Sequence, residues 1–73
     1  MISLRAARIE AGIKAQGVPY TQSDVADALG ISRSTIGRWE RGDLEVSMMA
    51  RYALAYYYKM NADDLEIKIN KEG

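Results

Sequence analysis

The sequence predicts an all-α fold, a small bundle of four to five helices with room for a short C-terminal β-strand. Three observations predict it. Short segments of helical apolar spacing are each preceded by Ser, Thr or Asn, whose side chains accept hydrogen bonds from the first free amides of a helix. Several of these segments end at glycine, the residue that takes the left-handed turn closing a helix. Strict alternation of apolar and polar residues, the mark of a strand, is confined to the end, from Leu65 to Asn70.

Each element follows in order. Ser3 caps a first helix running to Lys14 or Ala15, with Leu4, Ala7, Arg8 and Ala11 on one face and Ile2, Ile9 and Ile13 beside them. The pattern stops between Gln16 and Tyr20, because Pro19 disfavours helix at Val18 and Gly17 supplies a flexible end. Thr21 caps a second helix through Leu29, expected to bury Val25, Ala26 and Leu29. Gly30 turns the chain, and Ile31 plugs the core inside the turn. Ser32 caps a third helix, Arg33 to Arg41, with Ile36 and Trp39 on its inner face and Gly42 as its stop. Asp43 to Val46 reads as a loop. Ser47 caps a fourth helix, Met48 to Tyr58, in which Met49, Tyr52, Ala53 and Tyr56 recur at helical spacing and are expected to face the core. Met60 follows as a core plug, and Asn61 caps a single turn, Ala62 to Leu65.

Composition narrows the function. The 73 residues allow one domain, 1–73, with a helix-turn-helix centre at 21–42 and a tail at 66–73. Cysteine and histidine are both absent, which removes disulfides, thiolate nucleophiles, the usual general base and the commonest metal ligand. No enzyme, metal, cofactor or small-molecule ligand is indicated. Asp63 and Asp64 are adjacent acids, but they sit in a first helical turn, where the helix dipole accounts for them. Met1 to Ile13 carries Arg5, Arg8 and Glu10 where a secretory leader needs an unbroken apolar run. Met48 to Tyr58 contains Arg51 and is too short to span a bilayer, so cytoplasmic residence without membrane contact is the expectation. Net charge is zero, which counts against a phosphate-binding surface. The balance is uneven, however: residues 1–42 hold six bases against four acids, and residues 43–73 four bases against six acids.

The positive half contains the most informative segment, Thr21 to Gly42. On the third helix Arg33, Gly37 and Arg41 share one face, with Ser34 and Arg38 beside them, opposite Ile36 and Trp39. A helix so divided, propped by its predecessor, suits the major groove of double-stranded DNA. Arginine matches the O6/N7 pair of guanine, at roughly 1–3 kcal/mol of discrimination per good contact. Ser34 and Thr35 are expected to reach a phosphate or a thymine methyl, and Gln22 to donate to a phosphate at the start of the second helix. Gly37 costs about 1 kcal/mol of helix stability, which either a close approach by another backbone justifies or the helix tolerates as slack.

The run Gln22, Ala26, Gly30-Ile31-Ser32, Ile36 and Trp39-Glu40-Arg41-Gly42 resembles the Cro and repressor family of phage and bacterial regulators, and the likeness extends more loosely from Leu4 to Leu65. The resemblance implies a lambda-repressor-like fold and transcription regulation through operator DNA. It implies that Arg8, four residues before Gly12, pairs with Glu40. It also implies that Gln22 grips a phosphate while Arg33, Ser34 and Arg38 face the bases. An inward-facing Arg8 agrees, since a buried guanidinium needs a carboxylate.

Two departures from that family pattern open a second reading. Lys14 to Tyr20 lengthens the passage between the first two helices, and Asp43-Leu44-Glu45-Val46 puts acids and aliphatics where phosphate contacts are usual. That loop is either solvated with one hydrophobic pin or a protein-binding edge. Tyr57 and Tyr58 either take core or half-buried positions or offer interface area. The strip with Leu65, Ile67 and Ile69 lies against the fourth helix or pairs with a second copy. Asp43, Leu44, Val46, Tyr57, Tyr58, Ile67 and Ile69 thus form a candidate partner interface. It would serve a homodimer, with recognition helices about 34 Å apart, or a complex in which the chain acts as an antirepressor on another repressor.

Overall fold

The computed structural model describes residues 1–70, with the backbone alone for Ile69 and Asn70. The order is β1 (Ile2–Ser3), α1 (Leu4–Gln16), α2 (Gln22–Leu29), α3 (Arg33–Arg41), β2 (Val46–Ser47), α4 (Met48–Tyr58), a 3-10 turn (Ala62–Asp64), β3 (Leu65–Glu66) and β4 (Ile69–Asn70). Every expected cap is present. Ser3, Thr21, Ser32, Ser47 and Asn61 each accept a backbone amide from the turn they open. At α2 the cap is reciprocal, because Asp24 accepts the Thr21 amide in return. Gly30 takes φ 71°, the left-handed region where a side chain would be strained, and its amide reaches back to Ala26. Lys59 closes α4 in the same region at φ 56° without being glycine.

The core is small and shared by every helix. Leu4, Ala7 and Ala11 of α1 meet Val25 and Ala26 of α2, Ile36 of α3, and Leu54, Ala55 and Tyr58 of α4. Ile31 and Trp39 are half-buried and pack against this cluster, as expected of a plug and an inner-face residue. Among the described residues no helix is long and apolar enough to cross a membrane.

The alternating tail forms two strands of two residues each, and both pair in parallel within the chain. Ile2 pairs with Leu65 and Ser3 with Glu66, and farther on Val46 pairs with Ile69 and Ser47 with Asn70. Each partner strand immediately precedes a helix. An N-cap residue is extended, so its neighbours leave backbone groups unpaired, and the tail supplies partners at the entrances of α1 and α4. The Val46 amide, for example, donates to the Lys68 carbonyl at 2.7 Å. Pairing with a second copy is therefore not how this strip satisfies its backbone.

Three other expectations are corrected. Val46, read as an exposed loop aliphatic, has no solvent exposure, because β2 carries it under the tail. Tyr58 takes the core position of its two alternatives and is lost to the candidate partner interface, whereas Met49, Tyr52 and Tyr56, expected in the core, face solvent. The face of α4 that packs inward instead carries Leu54, Ala55 and Tyr58. The helix is apolar nearly all round, so two faces fit the periodicity, and only the position of α1 and the tail selects between them.

Candidate nucleic-acid interface

Ser32 starts α3 at an angle set by the Gly30 turn, and burial of Ile36 holds the helix against α1 and α2. The opposite side is left for solvent. Arg33, Ser34 and Arg38 are all exposed there. Among the described residues neither arginine has a carboxylate partner. Their guanidinium groups are thus available to acceptors outside the molecule.

What fixes the direction of this face is a polar network behind it. Arg8 donates to Glu40 through two parallel hydrogen bonds, Nε to Oε2 at 2.7 Å and Nη2 to Oε1 at 3.0 Å. The two side chains are only 12% and 6% exposed, so this pair is largely desolvated and its geometry is tightly defined. Glu40 holds the Arg8 guanidinium above its usual pKa range. The remaining Arg8 fork, Nη1, donates to the Tyr20 carbonyl at 2.8 Å. Gln22 donates from Nε2 to Glu40 Oε1 at 3.1 Å, tying the first turn of α2 to the end of α3. No buried side-chain nitrogen or oxygen among the described residues is left without a hydrogen-bond partner.

One glycine makes room for the network, and a second lies close to it. A methyl group at Gly12 would collide with the backbone of Pro19 and Tyr20, so only glycine lets that segment cross α1 and bring the Tyr20 carbonyl to Arg8. At Gly37 a methyl group would lie 3.2 Å from the Arg41 guanidinium and 3.6 Å from Gln22 Oε1. The neighbours there are side chains, so no other backbone makes the close approach that was one of the two readings of Gly37. The longer passage between α1 and α2 is likewise committed to the chain itself: Tyr20 stacks on Tyr57 with ring centroids 5.0 Å apart.

Other candidate residues fall differently. Thr35 is half-buried, and its hydroxyl lies 2.8 Å from that of Ser32, so it serves the cap. Arg41 is exposed but leans on Asp43, Nε to Oδ2 at 3.0 Å, which offsets the acid that was expected to repel phosphate. Gln22 lines a shallow groove of about 390 Å³ with Arg8, Thr21, Ser23 and Arg33, between the starts of α2 and α3. Of the candidate partner residues, Asp43 is exposed, Leu44, Tyr57 and Ile67 are half-buried, and Val46 and Tyr58 are inside. The Ile69 side chain lies outside the described residues. With Val46 and Tyr58 inside, these two are not available to a partner. The Gln22–Glu40 bond and the Tyr20 carbonyl were missed, though the capped start of α2 beside an inward Arg8 was a signal for both.

Among models of known protein families, the helix-turn-helix model matches residues 20–63, from Tyr20 through α2, α3 and α4 to the 3-10 turn. No curated protein and no solved structure gave a match. The matched span holds the capped turn, the braced α3 and its arginine face together. The chain belongs to the helix-turn-helix family of Cro and repressor-type DNA-binding regulators.

Proposed function

We propose that the chain is a transcriptional regulator of phage or prophage type that reads an operator through the outer face of α3. One observation carries this reading: Arg33, Ser34 and Arg38 stand exposed together on a helix whose back is held by Arg8, Glu40 and Gln22. A fixed guanidinium fork suits a guanine edge, and the cost of orienting the helix is met within the fold rather than on binding. Gln22 keeps a second amide hydrogen beyond its bond to Glu40, and it borders the groove at the start of α2, where a phosphate oxygen is favoured. Arg41 would contribute to phosphates through the part of its fork not turned to Asp43. A net charge of zero predicts few phosphate contacts and hence a shallow salt dependence.

The antirepressor reading loses support at the surface it was built on, since Val46 and Tyr58 are buried. The test of the operator reading is selection of duplexes from a random pool, followed by fluorescence anisotropy on the enriched sequence. Arg33→Ala and Arg38→Ala should each weaken binding by about ten- to a hundredfold while the melting temperature stays constant. Failure to enrich any duplex, or variants that bind as the parent does, would overturn the reading.

A further inference from the structure

At the end of α3 an arginine is folded back on its own helix and held there by an acid. Gly42 takes φ 78° and turns the chain, and the Asp43 amide donates to the Arg38 carbonyl at 2.9 Å. This cap fixes Asp43 beside the side chain of Arg41. Arg41 donates from Nε to Asp43 Oδ2 at 3.0 Å. Its Nη1 lies over Gly37, 3.2 Å from where a methyl group would stand, and the Gln22 amide atoms are 3.6 and 3.7 Å from the same point. A larger residue than Gly37 would crowd this conformer. Arg8 grips Glu40 with the edge of its fork formed by Nε and Nη2. On Arg41 that edge is closed, because Asp43 holds Nε. The carboxylate thus stands where a phosphate oxygen would have to be for a two-bond grip. Unlike the Arg8–Glu40 pair, this one is open to water, its side chains 63% and 60% exposed. A pair so exposed is weak enough for a phosphate to replace.

We infer that Asp43 is an internal substitute for phosphate, which holds Arg41 against α3 and thereby limits affinity for DNA. A backbone phosphate must displace the carboxylate to gain the Nε edge of the fork. Asp43 acts through Arg41, as a positioning residue. The inference rests on the reading that α3 meets DNA, not on which bases it selects. An opposite role for Asp43, orienting Arg41 toward phosphate, is the weaker effect. Orientation by an exposed pair contributes little, whereas the bond occupies the very nitrogen that phosphate needs. Glu45 provides the internal comparison. It is exposed in the same loop and has no basic partner among the described residues, so it brings the charge without the contact.

Anisotropy titrations of the full chain across a salt series, on the selected duplex and on a random-sequence duplex, test this. Asp43→Asn should tighten binding to both about three- to fivefold and steepen the salt dependence by about one phosphate contact. In an Arg41→Ala background the same change should gain little. Glu45→Gln should leave the salt slope as it is in the parent. Thermal melting should barely move in any of these variants, since the side chains are exposed. A gain from Asp43→Asn that survives Arg41→Ala overturns the inference, because it would come from charge alone. Unchanged or weaker binding by Asp43→Asn, with a duplex still selected, overturns it and spares the operator reading. Tighter binding of the random duplex by Asp43→Asn, with no sequence selected by the parent, sinks the operator reading alone.

Discussion

The outer faces of α3 and α4 lie on adjoining helices of one small domain, yet they expose opposite chemistry. On α3 the exposed residues are Arg33, Ser34 and Arg38, and behind them a desolvated arginine–glutamate pair locks the helix in place. On α4 they are Met49, Tyr52 and Tyr56, and behind them lie only Leu54, Ala55 and Tyr58. Orientation of the first face depends on directional hydrogen bonds, whose loss leaves buried charge. Orientation of the second depends on which apolar side packs better, a contest decided by shape. A surface meant to read another molecule's hydrogen-bond pattern needs the first kind of support; one that buries area needs only the second.

The contrast is sharpest at Glu40. Glu40→Ala strands the Arg8 guanidinium in a largely desolvated site and should cost about 2–4 kcal/mol of stability. DNA affinity should fall with it, because α3 and Gln22 lose their common anchor. Arg8→Met combined with Glu40→Leu should restore much of the stability but not the affinity, as read from urea midpoints and anisotropy. A single variant as stable as the parent would remove the polar half of the comparison.

Tyr58→Phe tests the inner side of α4 and should cost less than about 1 kcal/mol at neutral pH, since packing is nearly conserved. Burial, reinforced by the charge of Glu40, pushes the Tyr58 phenol well above its ordinary value. The fold therefore prefers the neutral phenol. Stability attached to that preference is whole below the unfolded value of about 10 and declines as pH climbs above it. Denaturation at neutral and strongly alkaline pH should show a smaller alkaline loss for Tyr58→Phe than for the parent. Equal losses would mean that the phenol ionises freely where it sits.

The smallest effect belongs to the outer side. Tyr52→Gln should change the stability of dilute protein by no more than about 0.5 kcal/mol, because the ring is more exposed than covered. Arg51, whose guanidinium lies 5.7 Å from that ring centre, keeps its bonds to Ala62 and Asp63. A large loss in thermal melting would show that Tyr52 belongs to the core after all.

Caps, turns and the polar face of α3 were legible in the residues because each is a local matter. Ser3, Thr21, Ser32 and Ser47 bond amides three residues away. Gly30 and Gly42 act on their own backbone, and Arg33 to Arg41 divides cleanly into polar and apolar sides. The Arg8–Glu40 pair, 32 residues apart, was reached only through resemblance. Which side of α4 turns inward, that Val46 lies beneath the tail, and that Gly12 makes way for Pro19 and Tyr20 were decided by tertiary structure. Those outcomes depend on which distant segment occupies a given space, and a pattern apolar on every side carries no information about its neighbours.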